Sequence, residues 1–226
     1  MAKLTARGGY AGHVALAAWL DQVLYRRPFE GTSARRYATA ERPAFGDLDT
    51  RLLDELAPSL VGARRLLDLG CGPATFASLA AARHPALSVI ALDPSRDFAR
   101  RGMGTNVVRA AGEALPIRDG VIDVAICLSS IRHVRDRHAT LRELRRVVRP
   151  RGSLVIVELD PAADAQRIAT HADRLGSAIL RRVFGPLVVK TAPRASAIEA
   201  LAISAGWHVR ALRDDPVQPV YIMELA

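Results

Sequence analysis

The chain has 226 residues, half of them hydrophobic, which is enough for one α/β domain with a well-filled core. No run approaches the roughly 20 apolar residues that span a bilayer, Met1 to Tyr10 hold no secretory apolar region, and two cysteines supply neither a disulfide framework nor a Cys-x-x-Cys zinc site. The formal charge of +9 invites a nucleic-acid partner, yet lysine occurs only at Lys3 and Lys190, and the densest arginine run, 132–151, reads as a solvated helix face beside Asp136 and Glu143 without aromatic interleaving.

Residues 1–60 carry helical patterning at 14–20 and 48–56, separated by a polar stretch with Pro28, Gly31 and Pro43 as breakers. They precede the first strand and are expected to form an N-terminal helical cap that covers a site or packs on an edge. From residue 61 the pattern alternates. Strands are predicted at 65–69, 87–92, 106–110, 121–128 and 153–158, with helices at 75–83, 95–101 and 137–149. Unbroken apolar strands with helices between them argue for a parallel sheet covered on both faces. Cys71 and Cys127 fall in or beside such strands, so both are expected to be reduced core thiols in a cytoplasmic protein. An arginine-studded helix at 163–183 suggests a lid insertion over 161–190. A helix at 195–205 stops at Gly206, and runs at 207–212 and 219–225 flank a polar Asp214-Asp215-Pro216 connection that reads as a hairpin. The expected fold is a Rossmann-like α/β domain over 61–226, a mostly parallel seven-stranded sheet closed by an antiparallel C-terminal hairpin.

The most informative stretch is Asp68-Leu69-Gly70-Cys71-Gly72-Pro73-Ala74-Thr75, an apolar strand ending in a glycine turn. A dinucleotide fingerprint wants a third glycine where this chain has Thr75. Asp68, just before the first glycine, suits a cationic ligand and disfavours a pyrophosphate. Asp93 ends the second strand, where a carboxylate can accept two ribose hydroxyls. Glu113, after the third strand, can accept from an exocyclic amine.

These motifs, with Ile122-Asp123-Val124 and the segment Leu144 to Leu154, resemble the class I S-adenosylmethionine-dependent methyltransferases in order and spacing over roughly residues 60–160. Ser130-Ile131-Arg132-His133 is similar to the segment after strand four in the ubiquinone and menaquinone biosynthesis group, with His133 where that group has Asn. Arg151 replaces a usual glycine in the turn before strand five. The resemblance implies S-adenosylmethionine as cofactor and S-adenosylhomocysteine as product, with no metal. It implies that Gly70, Cys71 and Gly72 approach the methionine part and that Asp68 faces its ammonium. Asp93 and Pro94 would lie at the ribose, Glu113 and Ala114 at the adenine, and Leu128 and Ser129 at the methyl side.

Methyl transfer is an in-line displacement, so orientation supplies much of the rate and a base can add to it. His133 is the candidate base, because it follows strand four and an unperturbed imidazole suits proton transfer at neutral pH. The alternative is a histidine that holds the loop. Arg132 is a candidate to orient an anionic or carbonyl oxygen, and Glu158 is a weaker base candidate. Tyr37 is a candidate to close over the cofactor and His171 to reach a substrate; packing roles stand beside both. His138 is expected to face solvent. The expected activity is methylation of a small molecule, with O-methylation first. C-methylation of a quinone-like or polyketide acceptor, RNA methylation and a non-catalytic cofactor-binding protein are the alternatives, and a homodimer stays open.

Overall fold

The computed structural model describes residues 29–101 and 107–226; the helix expected at 14–20 and Asn106 lie outside them. The strands are β1 (Arg65–Leu69), β2 (Ser88–Asp93), β3 (Val107–Arg109), β4 (Ile122–Leu128), β5 (Val148–Leu159), β6 (Val209–Asp214) and β7 (Val220–Leu225). They form one sheet in the order β3-β2-β1-β4-β5-β7-β6, parallel from β3 to β5 and antiparallel at β5–β7 and β7–β6. The order in which strands are added reverses between β1 and β4, the switch point at which open α/β sheets build their sites.

The strands read as unbroken apolar runs because successive side chains enter two different cores. Leu66, Val124 and Ile126 face one side with Leu52, Leu53 and Leu56 of α2 (Leu48–Leu60) and Phe76 of α3 (Thr75–Arg83). Leu67, Ala125 and Cys127 face the other with Leu141 and Leu144, from a later helix at Arg137–Val147, and with Trp207. The indole N–H of Trp207 donates to the Leu141 carbonyl at 2.9 Å, so the largest buried side chain is also satisfied. Because α2 is a core helix of the sheet, the boundary expected at residue 60 falls inside one packed unit. Both thiols are buried and unbridged. Burial raises the pKa of each, that of Cys127 to about 12.

Before α2, residues 29–45 form a strap: α1 (Gly31–Arg36), a π turn (Tyr37–Glu41) and a 3-10 turn (Arg42–Phe45). After β2 comes α4 (Arg96–Arg101), and between β4 and β5 comes α5 (Arg137–Val147), capped by Asp136 accepting from the Ala139 amide at 2.9 Å. The single helix expected at 163–183 is instead α6 (Ala165–Asp173), a break at Gly176, and α7 (Ala178–Val183) capped by Ser177, followed by a π turn (Phe184–Val189). The last helix is α8 (Ala195–Ser204). In the hairpin, Asp215 accepts from the amides of Val217 and Gln218 and is held by Arg51 of α2. None of the helices among the described residues is long and apolar enough to cross a membrane.

Much of the arginine run serves internal bonds. Arg146 donates to Glu143, Asp119 and the carbonyls of Leu115 and Ile117. Arg145 lies over the Trp207 ring and donates to the Gly206 carbonyl, and Arg149 pairs with Asp123.

Strand β5 starts five residues earlier than expected, and Arg151 sits within it at φ +68°, a left-handed backbone that penalises a Cβ. Arg151→Gly is therefore expected to raise unfolding stability by about 1 kcal/mol. Urea melts check this, with the midpoint moving to higher denaturant.

Candidate active site

Gly70 turns the chain off β1 at φ +71°, and its amide and that of Cys71 both donate to the Leu92 carbonyl, at 2.7 and 3.0 Å. A Cβ at Gly70 would lie 2.4 Å from the Ser130 Cβ, so a side chain there is excluded by packing as well as by φ. Ser130 donates from its hydroxyl to the Leu69 carbonyl at 2.8 Å and ties the ends of β1 and β4 together. Asp93 organises the other side of the turn. One carboxylate oxygen accepts from the Gly72 amide and the other from the Ser95 amide, each at 2.8 Å. Burial outweighs these two bonds and raises the Asp93 pKa to about 6.

Asp68 is almost fully buried and its Oδ1 has no partner. Burial first, and the Asp49 carboxylate second, raise its pKa to about 7 against the pull of Arg42. The buried side-chain polar atoms left without a partner among the described residues are Asp68 Oδ1, Thr75 Oγ1, Ser129 Oγ and Arg132 Nη1. Asp68, Ser129 and Arg132 belong to the carboxyl ends of β1 and β4 or the turns that follow them, and Thr75 opens α3 directly after the glycine turn. A native interior pairs nearly all such atoms, so this concentration marks a place prepared for a polar ligand.

Leu128 ends β4 in the core, and Ser129 follows at φ +51°, strained for a residue with a side chain. A 3-10 turn (Ile131–His133) then presents Arg132 and His133. Phe29 packs edge-on to His133 at 4.8 Å and to Tyr37 at 5.2 Å between ring centres, and the Tyr37 ring lies 3.5 Å from where a Gly72 Cβ would stand. The strap thus roofs the glycine turn with aromatic rings. Burial pushes the Tyr37 hydroxyl up to about 12 and keeps it protonated.

Several expectations change. Burial, then Arg132 and Arg137, push the His133 pKa down to about 3, which keeps its imidazole neutral and weakly basic in the unliganded fold. The Glu113 carboxylate is engaged within the fold through Oε1, which accepts from the amides of Arg135 and Asp136 at 2.9 and 3.2 Å and braces the loop before α5. Ala114 and Pro94 are exposed beside that edge. His171 is buried between Phe45 and Phe184 and bonds to Gln218 at 2.7 Å, and this removes its ring from any substrate. Glu158 is fully buried beneath the 131–133 turn. His138 is half-buried on α5.

Arg42 was not singled out in the sequence, where it stands in a polar, breaker-rich stretch. It is buried, pairs with Asp49 at 2.5 Å and lies close enough to Asp68 and Tyr37 for each to raise its pKa. An anionic Asp68 and a cationic Arg42 together complement a zwitterion. Among the described residues no three His, Cys, Asp or Glu side chains gather as metal ligands.

A family profile described as a methyltransferase domain matches residues 67–156. The chain is 31% identical over 144 residues to a ubiquinone/menaquinone biosynthesis C-methyltransferase of Syntrophotalea carbinolica, covering 58% of this chain and 60% of that protein. It is 29% identical over 166 residues to a demethylmenaquinone methyltransferase of Thermus thermophilus, covering 65% and 76%. The chain spans less than two thirds of the length of the first curated relatives it matches. A solved S-adenosylmethionine-dependent methyltransferase of Aquifex aeolicus shares the fold at a TM-score of 0.64 and 14% identity, covering 86% of this chain and 96% of that one.

Proposed function

We propose that this chain, a member of the class I S-adenosylmethionine-dependent methyltransferases, transfers a methyl group to an oxygen of a small-molecule acceptor. The observation that carries the reading is the unpartnered Asp68 Oδ1 beside the glycine turn, with Arg42 nearby. In this reading Asp68 takes the ammonium of the cofactor's methionine part and Arg42 its carboxylate. Asp93, whose oxygens keep lone pairs beyond the two amide bonds, takes the ribose hydroxyls. Pro94, directly after β2, joins Asp93 at the ribose, Ala114 in the turn after β3 flanks the adenine, and Gly70, Cys71, Gly72, Leu128 and Ser129 line the methionine and methyl side. When bound, the cofactor supplies an electrophilic methyl group on a sulfonium. The protein supplies position and dryness: the edge of β1 and β4 fixes the direction of approach, and Phe29, Tyr37 and His133 exclude water.

A second reading, C-methylation of a quinone-like acceptor, draws on the printed activities of the Syntrophotalea and Thermus relatives. RNA methylation gains nothing from the arginine run, whose guanidiniums are largely engaged within the fold.

The test is transfer of labelled methyl from S-adenosylmethionine into a lysate separated into small molecules, RNA and protein, together with calorimetry of S-adenosylhomocysteine. Label in the small-molecule fraction is expected. No binding at millimolar S-adenosylhomocysteine would sink the reading.

A further inference from the structure

Arg132 is held through its backbone and one guanidinium nitrogen, while a second guanidinium nitrogen is buried without a hydrogen bond. Its Nη2 donates to the Val188 carbonyl at 2.9 Å and to the Thr191 hydroxyl at 3.4 Å, both from the segment after α7. Its backbone amide donates to Glu158 Oε2 at 3.2 Å, and Arg137 donates to its carbonyl and to that of Ile131. Glu158 Oε1 accepts from the Leu159 amide at 2.8 Å, so both carboxylate oxygens are engaged by backbone. Arg132 Nη1 stands 4.0 Å from Glu158 Oε1, close enough for a loose ion pair but beyond hydrogen-bond reach, and has no hydrogen-bond partner. A buried guanidinium face with unspent donors is costly unless an acceptor comes to it. Three residues earlier, the Ser129 hydroxyl is also buried and unpartnered.

We propose that Arg132 Nη1 forms an oxyanion subsite for the methyl acceptor, that Glu158 is the positioning residue that holds it there, and that the acceptor is an acidic phenol or enol which binds ionised. This deepens the reading of the chain as a methyltransferase and rests on it. The acceptor's hydroxyl gives its proton to solvent water, and the oxyanion pairs with Arg132. No side chain has to take that proton, consistent with an imidazole at His133 that stays neutral. An ionised phenol or enol is nucleophilic at oxygen and at the carbon β to it (ortho in a phenol); after attack by carbon the proton on that carbon passes to water and the oxygen is reprotonated, so the subsite serves either product. The other titratable and charged groups around the Arg132–Glu158 pair are Arg137, His133, Tyr37, Cys127 and Tyr221. Of these only Arg137 carries charge at neutral pH, and it adds to the attraction for an anion.

The probe is 4-nitrophenol, whose anion is read by absorbance, added to protein saturated with S-adenosylhomocysteine. In the wild type its ionisation midpoint is expected to fall by about one pH unit from that of the free probe. Arg132→Gln should return it to the free value. Glu158→Gln separates positioning from charge. If Glu158 acts only through its charge, removing it lowers the midpoint further. If it positions Arg132, the shift disappears while S-adenosylhomocysteine affinity stays within about twofold of wild type. Absence of any shift in wild type, a shift retained in Arg132→Gln, or a larger shift in Glu158→Gln each overturns the proposal. Should Glu158→Gln fail to fold, the wild type and Arg132→Gln still decide the subsite. Failure of the wild type to bind S-adenosylhomocysteine would instead strike the underlying methyltransferase reading.

Discussion

Asp93→Ala is expected to weaken S-adenosylhomocysteine binding by about 100-fold or more at neutral pH. The carboxylate holds the Gly72 amide with one oxygen and the Ser95 amide with the other, and so shapes the turn that a ligand must meet before it touches the ligand itself. A hydrogen bond to a charged group is worth about 1.5–3 kcal/mol, so losing two ribose contacts alone accounts for the low end of that estimate. Global stability should change much less. The substitution orphans two amides, but it also removes a buried carboxylate whose pKa is raised to about 6 by burial. Calorimetry gives the affinity and a thermal melt without ligand gives the fold. A variant that melts near wild type yet binds within a few-fold of it would remove Asp93 from the site.

The parts of this site that were legible in the sequence are those fixed by the sheet. Asp68, Gly70, Gly72 and Asp93 sit where apolar runs end, and parallel pairing of β1 with β2 brings Leu69 opposite Leu92, which places both acids on one edge. The parallel part of the sheet followed from the same apolar runs, and the closing hairpin from the polar Asp214-Asp215-Pro216 connection. What was not legible depends on side-chain direction and on segments without a period. Glu113 occupies the expected loop, but its Oε1 also accepts from the amides of Arg135 and Asp136 ahead of α5, a contact no period announces. His171 reads as a polar residue on an amphipathic helix. Only the tertiary fold brings Phe45 of the strap against it and Gln218 of the β6–β7 connection to its ring. Arg42 belongs to a stretch whose breakers suggest a loop, and its burial beside Asp49 arises from a tertiary turn. The break between α6 and α7 did carry a signal, Gly176 followed by Ser177 as a cap, within a window that otherwise reads as continuous helix.

The second large effect is a trade between stability and binding at Asp68. Its folded pKa of about 7 lies above the value of 3.8 for an unperturbed aspartate, so the folded, unliganded protein holds this proton more tightly than the unfolded chain does. Stability therefore falls as pH rises from about 4 to about 7 and is flat on either side of that window, so far as this group is concerned. At 1.36 kcal/mol per unit the ceiling is on the order of 4 kcal/mol. Asp68→Asn removes the buried charge while keeping the shape. It is expected to match wild type near pH 4 and to exceed it at pH 8 by about 2 kcal/mol in urea melts. The same substitution should cost about tenfold or more in S-adenosylhomocysteine affinity at pH 8, because the ligand's ammonium loses its anion. In wild type that affinity should itself rise with pH through 7, as Asp68 ionises to meet the ammonium, and in Asp68→Asn this dependence should vanish. An Asn variant no more stable than wild type at pH 8 would mean that Arg42 already compensates the charge, and the unpartnered Oδ1 would lose its meaning as a ligand site. If instead stability rises and affinity falls together, the carboxylate is kept at a cost to the fold, and binding the ligand's cation is what offsets that cost.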